Sequence, residues 1–208
     1  MLRTATAKME KPAVSHVVQR YGRDPFLILI SCLLSLRAKD TVSLPIALKL
    51  FERARTPQEI VKIPRPELEK LFYSIGYYRQ KAKSVHEVCQ ELIERFHGTV
   101  PNTKQELLSI KGVGIKTANL ILGQAFGIPA ICVDIHVHRI SNRLGLVDTK
   151  TAEQTEVALQ EILPKEYWIE FNYLLVIWGQ NICVPISPFC SRCVLSDICP
   201  KKGVGRRR

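Results

Sequence analysis

The sequence lacks a long hydrophobic run and a recognisable leader segment. Its longest apolar stretch, from Phe26 to Leu36, carries two serines and is too short to cross a bilayer as a helix. The first ten residues, MLRTATAKME, contain no apolar core of the kind that a signal peptide needs. These absences exclude a secreted or membrane-spanning protein, and we expect a soluble protein of a reducing compartment.

Acidic residues are scarce relative to basic ones. Nineteen Asp and Glu stand against thirty Lys and Arg, which gives a net charge of +11 and a pI of about 9.5. Such a surplus attracts polyanions, of which nucleic acid is the commonest in cells. A basic surface that serves only solubility is the alternative. At 208 residues the chain can form one domain or two small ones.

The alternation of apolar and polar residues that marks β-strands is also missing. Instead, apolar residues recur at three- and four-residue steps in segments such as KAKSVHEVCQELIERF and KTANLILGQAFG. Thr56 and Thr103 each precede a glutamate by three residues, which is the capping-box pattern of a helix start. The sequence therefore predicts an all-α protein with about ten short helices.

The seven cysteines form no secreted disulfide framework, because their number is odd and three of them stand alone. Cys32, Cys89 and Cys132 each lie in an apolar setting such as ISCLL or AICVD. Cysteine in such a setting behaves as a small hydrophobic residue. We predict that these three side chains are buried and have no chemical role.

The other four cysteines are clustered near the end of the chain. They follow the pattern C-x6-C-x2-C-x5-C, at Cys183, Cys190, Cys193 and Cys199. Four thiolates can hold a zinc ion or an iron–sulfur cluster. A structural zinc site usually has two short cysteine pairs, whereas this segment has one tight pair between single cysteines. The pattern favours a [4Fe–4S] cluster over zinc, and either metal centre over four unrelated thiols.

Two glycines separate two predicted helices in the segment LLSIKGVGIKTANLILGQAFG. Glycine can adopt left-handed backbone angles and lets a ligand approach the main chain. The turn Lys111, Gly112, Val113 and Gly114 could therefore present its amides to a phosphate at the start of the second helix. Many tight helical turns need glycine for no other reason than their geometry, so the turn alone is weak evidence.

Lys116 lies in the first turn of that second helix, where the helix dipole disfavours a cation. Partial desolvation there would weaken its hold on the proton and make the amine a usable nucleophile. The simpler interpretation is a surface lysine that contacts a phosphate.

A single carboxylate, Asp134, precedes the helix in AICVDIHVHRISNRLG. It is predicted to cap this helix, and it could also stabilise positive charge on a sugar ring or activate water. Arg139 and Arg143 share one face of the helix and are candidates for contacts with phosphates. Solvated surface charges are the alternative for both.

Taken in order, KGVGIKTAN, VDIHVHRISNR and the four-cysteine segment resemble the endonuclease III family of helix-hairpin-helix DNA glycosylases. The resemblance covers nearly the whole chain. It implies base-excision repair of double-stranded DNA that contains oxidised pyrimidines or abasic sites, by a bifunctional glycosylase and abasic-site lyase. It also implies a [4Fe–4S] cluster on the four cysteines, in a loop over residues 183–199 whose Arg192 contacts the DNA backbone.

The same resemblance implies roles for two of the candidate residues. Lys116 attacks C1′ of the damaged nucleotide, forms a Schiff base and cuts the strand 3′ to the sugar by β-elimination. Asp134 assists the departure of the base and deprotonates the amine. We further expect a monomer that resides in the cytoplasm or on the nucleoid.

The fold that the family implies consists of two all-α domains on either side of a DNA cleft. A central helical domain over residues 18–128 carries the hairpin at about 104–126. The second domain joins residues 1–17 to residues 129–208 and carries the cluster. By this analogy Lys116 and Asp134 lie on opposite sides of the cleft mouth.

Three positions depart from the residues that are common in the family. Arg37 stands where relatives often carry glutamine, Tyr77 where they often carry leucine, and Lys111 where they commonly carry proline. An enzyme that flips a base out of a duplex must fill the gap with side chains. Tyr77 could stack on bases and Arg37 could bond the orphaned partner base; packing at helix ends is the alternative.

Three other functions fit the residues less well. A mismatch-adenine glycosylase needs an acid in the early apolar helix, and no carboxylate lies between Asp24 and Asp40. A monofunctional mismatch-thymine glycosylase generally lacks the lysine, and a non-catalytic, cluster-bearing DNA-binding module would need neither Lys116 nor Asp134. The C-terminal tail, KKGVGRRR, is predicted to be a flexible basic arm.

Overall fold

The computed structural model describes residues 1–208 and is helical throughout, without a strand. The predicted all-α class is confirmed. The α-helices are α1 Leu2–Thr6, α2 Ala13–Tyr21, α3 Pro25–Ser35, α4 Asp40–Arg53, α5 Pro57–Val61, α6 Arg65–Leu71, α7 Tyr78–Phe96, α8 Lys104–Ser109, α9 Ile115–Gln124, α10 Ile135–Arg143, α11 Ala152–Ile162 and α12 Trp168–Asn181. Two short 3-10 helices cover Lys165–Tyr167 and Cys190–Arg192. None of these helices has the length and apolarity that a membrane crossing requires.

The helices outnumber the predicted ten because several are very short. Four of the twelve, α1, α5, α6 and α8, have only five to seven residues. One or two turns give too few apolar positions for a period of 3.6 to appear in the sequence. The starts of two of them were nevertheless predicted, because Thr56 and Thr103 accept the backbone N–H of Glu59 and Glu106 at 3.2 and 3.3 Å.

The chain divides into two compact units. The terminal unit comprises residues 1–12 and 129–208, and the central unit comprises residues 13–128. Helix α2 lies wholly in the central unit, where Ala13 and Val17 are buried. The domain boundary after residue 17 that we expected would divide this helix.

Helix α3 forms the centre of the central unit. Every residue from Phe26 to Leu34 is buried, and α2, α4, α7 and α9 pack around it. Asp24 starts the helix by accepting the backbone N–H groups of Phe26 and Leu27 at 2.9 and 3.0 Å. Because α3 is apolar on all sides, it is stable only when it is enclosed by other helices.

Helix α7 is the longest helix and frames the central unit. It is flanked at both ends by a residue with left-handed backbone angles, Tyr77 with φ 60° and His97 with φ 54°. One face packs against α3, α5 and α6 through buried side chains that include Val85, Val88 and Leu92. The helix therefore connects the turn at Tyr77 with the region of the hairpin.

The terminal unit is built on α10 and α12, which pack against each other. Trp178 lies at the centre of its core, together with Val137 and Leu175. The two helices approach so closely that a Cβ on Gly179 would overlap the ring of His136. Glycine is therefore required at position 179 by packing.

The C-terminal tail, residues 201–208, is not the flexible arm that its composition predicted. The Lys202 N–H donates to the Arg143 carbonyl at 3.2 Å, and the Arg208 N–H donates to the Pro188 carbonyl at 2.8 Å. The guanidinium of Arg208 lies 3.9 Å from the centre of the Phe189 ring. Composition missed this docking because it depends on distant backbone carbonyls and one aromatic ring.

Candidate functional site

The glycine turn joins α8 to α9 and presents an open surface. Gly112 has φ +89°, a left-handed angle that favours glycine. Gly114 is the N-cap of α9 with φ −92° and has no side-chain cap. A Cβ built on either residue would meet no atom within 4 Å. Nothing in the protein fills the space in front of these two glycines, so a ligand can approach the main chain there.

Two contacts fix the turn: Val113 is buried in the core, and Lys111 is bound to side chains of α7. Val113 is 6% exposed, so this residue anchors the turn in the core and the open positions of the turn are its two glycines. The Lys111 N–H donates to Glu91 Oε2 at 3.0 Å, and Lys111 Nζ lies 3.5 Å from Glu87 Oε2. Sequence reasoning did not find these two carboxylates, because they precede the turn by 20 residues or more.

Lys116 occupies the first turn of α9 and its side chain is exposed. The partial desolvation considered from the sequence is therefore not present. Beneath it lies the buried thiol of Cys32 in α3: burial raises the pKa of this thiol to about 12, and the positive charge of Lys116 opposes the rise. Lys116 is therefore close enough to α3 for its charge to act on Cys32, while its side chain is exposed to solvent beside the glycine turn.

The three isolated cysteines are buried as predicted. Their exposed fractions are 6% for Cys32, 0% for Cys89 and 3% for Cys132. Burial also raises the pKa of the Cys89 thiol to about 12. A thiol that keeps its proton is a poor nucleophile, so neither Cys32 nor Cys89 is a candidate for catalysis.

Asp134 is the N-cap of α10, as the sequence predicted. Its Oδ1 accepts the backbone N–H groups of His136 and Val137, each at 2.9 Å. The preceding residues, Ile131 to Val133, are buried and hold the carboxylate in place at the start of the helix. Both bonds use the same oxygen, so the second carboxylate oxygen, Oδ2, takes no part in the cap.

Arg139 is directed into the terminal unit instead of toward solvent. Its guanidinium donates to the carbonyls of Gly179 at 3.1 Å and Cys183 at 2.8 Å. These carbonyls lie at the C-terminal end of α12, where backbone acceptors have no partner within the helix. Burial lowers the pKa of Arg139. Arg139 therefore caps the end of α12, and its contact with a DNA phosphate stays a prediction.

Arg143 supports the first part of the cysteine segment. It donates to the carbonyls of Val184 at 2.8 Å and Pro185 at 2.7 Å, and to Cys183 Sγ at 3.4 Å. Arg143, like Arg139, therefore supports the cysteine segment, and the contact of Arg143 with DNA stays a prediction.

The four clustered cysteines line one cavity. Its other walls include Arg143, Ile182 and Phe189. Four cysteines around one shared space supply the donor set of a single metal centre, either zinc or an iron–sulfur cluster.

A second observation concerns a buried donor beside one of the four cysteines. The Trp178 indole Nε1 is buried and makes no hydrogen bond of ordinary geometry. It lies near Cys193. The pKa of this thiol is raised overall by burial, and the Leu195 amide and the Trp178 side chain partly oppose the rise. A buried donor of this kind fits a thiolate that is negatively charged when it binds a metal.

Arg192 lies in the 3-10 helix Cys190–Arg192 and is exposed. Its guanidinium carbon lies 5.5 Å from the centre of the Phe189 ring, the same ring that Arg208 covers. The docked tail therefore adds arginines to the surface around the cysteine segment, and Arg206 and Arg207 are exposed as well. Sequence reasoning found Arg192 but not this addition.

Arg37 and Tyr77 share an uncommon backbone conformation. Both are exposed, and both have left-handed angles, with φ 55° and 60°. Arg37 comes after the end of α3, and Tyr77 immediately precedes α7. Bulky residues in this conformation are strained and tend to lie at functional sites.

Comparisons with known proteins agree on one family. The family model described as "HhH-GPD superfamily base excision DNA repair protein" matches residues 30–165. Endonuclease III of Thermotoga maritima is 44% identical over 201 residues, which cover 93% of this chain and 94% of that protein. A solved non-covalent endonuclease III–DNA complex superposes with a TM-score of 0.81 at 36% identity and covers 90% of this chain and 92% of that one. A trapped endonuclease III–DNA covalent intermediate gives a TM-score of 0.81 at 35% identity, over 91% and 93% of the two chains.

Proposed function

The chain belongs to the endonuclease III family of the HhH-GPD superfamily, and we propose that it removes oxidised pyrimidines and cuts the strand through a Schiff base on Lys116. It is a bifunctional base-excision DNA glycosylase and abasic-site lyase, and DNA is its partner. We further propose that it carries a metal cluster and acts as a monomer. The observation that carries it is the exposed Lys116 beside the open glycine turn.

Lys116 is the covalent nucleophile in this account. Its neutral amine attacks C1′ of the damaged nucleotide, and the glycosidic bond breaks with its electron pair leaving on the base, which takes up a proton. Opening of the sugar ring leaves an imine between C1′ and the lysine nitrogen. Loss of a proton from C2′ then expels the 3′ phosphate, and water releases the enzyme. An exposed lysine in the first helical turn supports this role, because it can reach a nucleotide that has left the duplex.

Asp134 is the general base in this account. It accepts the proton that the amine loses and stabilises the positive charge that develops on the sugar as the base departs. Oδ1 is used by the helix cap, whereas Oδ2 takes part in neither cap bond. This division supports a carboxylate that can serve both as a cap and as a catalyst.

The glycine turn positions the DNA backbone. Gly112 and Gly114 lie at the start of α9 with open space where a side chain would stand, so a phosphate can approach their main chain at the positive end of the helix. Lys111 adds a positive charge beside the turn, and Arg192 adds another at the cysteine segment. Arg37 and Tyr77 fill the gap in the duplex once the damaged nucleotide has been extruded.

Members of this family carry a [4Fe–4S] cluster, and we assign it here to Cys183, Cys190, Cys193 and Cys199. Bound there, it would supply the cross-link that fixes the cysteine segment, since metal binding and loop folding are one equilibrium. Arg143 donates to Cys183 Sγ, and the Leu195 amide and the Trp178 side chain lie beside Cys193. The purified protein should absorb broadly near about 400 nm, and a colourless active protein with stoichiometric zinc would overturn the assignment.

A panel of duplex oligonucleotides tests the lesion class. We expect excision of oxidised pyrimidines such as thymine glycol, followed by a β-elimination product at the 3′ side of the abasic site. Excision confined to thymine in a G·T mismatch, without strand cleavage, would favour the monofunctional alternative. Binding to every duplex without excision of any base would leave only a DNA-binding module.

A further inference from the structure

Lys81 is a buried cation without a carboxylate partner. The residue is 8% exposed, and its Nζ donates to the carbonyls of Leu33 at 3.1 Å and Leu36 at 2.7 Å. Burial lowers the pKa of its amine to about 8. A buried ammonium that is not ion-paired is unfavourable unless hydrogen bonds compensate for the lost water. The two carbonyls therefore hold this amine inside the protein.

These carbonyls belong to the C-terminal end of α3. The last carbonyls of a helix have no partner within the helix, and the dipole makes this end negative. Lys81 belongs to another helix, 45 residues further along the chain from Leu36. Its ammonium donates hydrogen bonds to these carbonyls and places a positive charge at the negative end of α3. The backbone turns out of α3 directly after Leu36, at the left-handed residue Arg37, so the Lys81 side chain fixes the chain at the residue before Arg37.

The backbone of Lys81 is fixed to the second left-handed residue. Its N–H donates to the carbonyl of Tyr77 at 3.0 Å, in the first turn of α7. Lys81 therefore contacts both turns, one through its side chain at Leu36 and one through its main chain at Tyr77. The two exposed side chains at these turns, Arg37 and Tyr77, are separated by 40 positions in the sequence but joined through this single residue.

We propose that Lys81 is a positioning residue that joins the turns of Arg37 and Tyr77 into one rigid frame, so that both side chains enter the duplex together when the damaged nucleotide is extruded. The inference rests on the proposed function. Two turns that are already ordered lose less conformational freedom on binding than two independent turns would. The strain of two left-handed residues is tolerated because the surrounding bonds fix both of them.

The test replaces Lys81 by methionine. Methionine has an unbranched side chain of similar length and keeps the backbone bond to Tyr77, but it cannot donate a hydrogen bond to the Leu36 carbonyl. The matched control is Lys83→Met, which removes an exposed lysine from the same helix. Extrusion is followed by the fluorescence of 2-aminopurine placed beside a thymine glycol. We expect Lys81→Met to reduce the extrusion rate by at least about tenfold, with binding to undamaged duplex nearly unchanged, and Lys83→Met to extrude at the wild-type rate.

A second comparison separates positioning from simple loss of stability. In an Arg37→Ala background, Lys81→Met should slow extrusion by less than about twofold further, because the substitution breaks only the link to the Leu36 carbonyl beside Arg37, whose side chain is already absent, and keeps the backbone bond to Tyr77. Another tenfold loss in that background would overturn the proposal, and so would wild-type extrusion by Lys81→Met. If the methionine variant does not fold, Lys81→Gln, which keeps one donor, is measured in the same way and should show an intermediate loss.

The wild-type protein separates this inference from the function on which it rests. A wild-type protein that excises no oxidised pyrimidine would contradict the proposed function itself. A wild-type protein that excises thymine glycol, together with an unaffected Lys81→Met variant, would contradict only the role of Lys81.

Discussion

The backbone N–H of Lys111 donates a 3.0 Å hydrogen bond to the carboxylate of Glu91, so the first residue of the glycine turn is anchored to α7. The Lys111 ammonium also lies 3.5 Å from Glu87, one turn earlier in the same helix. The other end of α7 carries Lys81 and the turn at Tyr77. One helix thus fixes both the predicted phosphate-binding turn and the turns of Arg37 and Tyr77, which are predicted to fill the gap in the duplex.

The ion pair of Lys111 leads to a prediction about salt dependence. Lys111→Ala should weaken binding to all duplexes and reduce the slope of log K against log salt by about one unit, because one phosphate contact is lost. Glu87→Gln should have the opposite effect and strengthen binding, since it removes the competing carboxylate. Titrations of an undamaged duplex at several salt concentrations measure both variants. An unchanged slope in Lys111→Ala would mean that this lysine does not contact DNA.

The two glycines of the turn make a matched pair of substitutions. Gly114→Ala places its methyl group in open space at a φ of −92°, so the melting temperature should change little, whereas DNA binding should weaken because the methyl group holds the phosphate away. Gly112→Ala should also destabilise the fold, by about 1 kcal/mol, because of its left-handed angle. Calorimetry and duplex titration check these outcomes. Full DNA affinity in Gly114→Ala would exclude close approach of a phosphate.

Asp134 allows its capping and catalytic roles to be separated. Asparagine caps a helix as well as aspartate does, so Asp134→Asn should melt and bind DNA almost normally while excision slows by at least about 100-fold. Asp134→Ala should lose about 1 kcal/mol of stability in addition. Single-turnover excision of thymine glycol and thermal melting measure these effects. Excision by Asp134→Asn at the wild-type rate would show that this carboxylate only caps the helix and has no catalytic role.

The stability of the protein should rise with pH through Lys81. Its pKa is about 8 in the folded protein and 10.5 when unfolded. Below pH 8 the amine is protonated in both states, so it does not make the free energy of unfolding depend on pH. Between pH 8 and 10.5 the unfolded state binds more protons, and stability rises by up to about 3 kcal/mol. The rise should be absent from Lys81→Met. Subtracting the two denaturation profiles removes the opposite effect of the buried thiols of Cys32 and Cys89, which both proteins share.

Features that depend on neighbours in sequence were predictable. The caps at Thr103 and Asp134 join a side chain to a backbone N–H two or three residues later, and such bonds form whenever the helix forms. The buried state of Cys32, Cys89 and Cys132 could be inferred from their apolar neighbours. The order of the hairpin, the aspartate and the four cysteines was enough to find the family.

Features that depend on distant backbone were not predictable. Arg139 and Arg143 have helical spacing that is compatible with a DNA-facing surface, yet their partners are carbonyls about 40 residues away. Lys81 reaches across 45 residues to Leu36. The acceptors in all three cases are main-chain carbonyls, which every residue type carries, so the sequence holds no signal for them.

Borohydride trapping on a ready-made abasic site tests the central claim most directly, because reduction captures only a protein that has formed an imine with the sugar. Lys116→Gln is compared with the wild type, and Lys111→Gln, five positions earlier on the other side of the turn, is the matched control. We predict covalent complex for the wild type and for Lys111→Gln, and none for Lys116→Gln at a protein concentration that saturates the DNA. A covalent complex formed by Lys116→Gln at the wild-type rate would contradict the account.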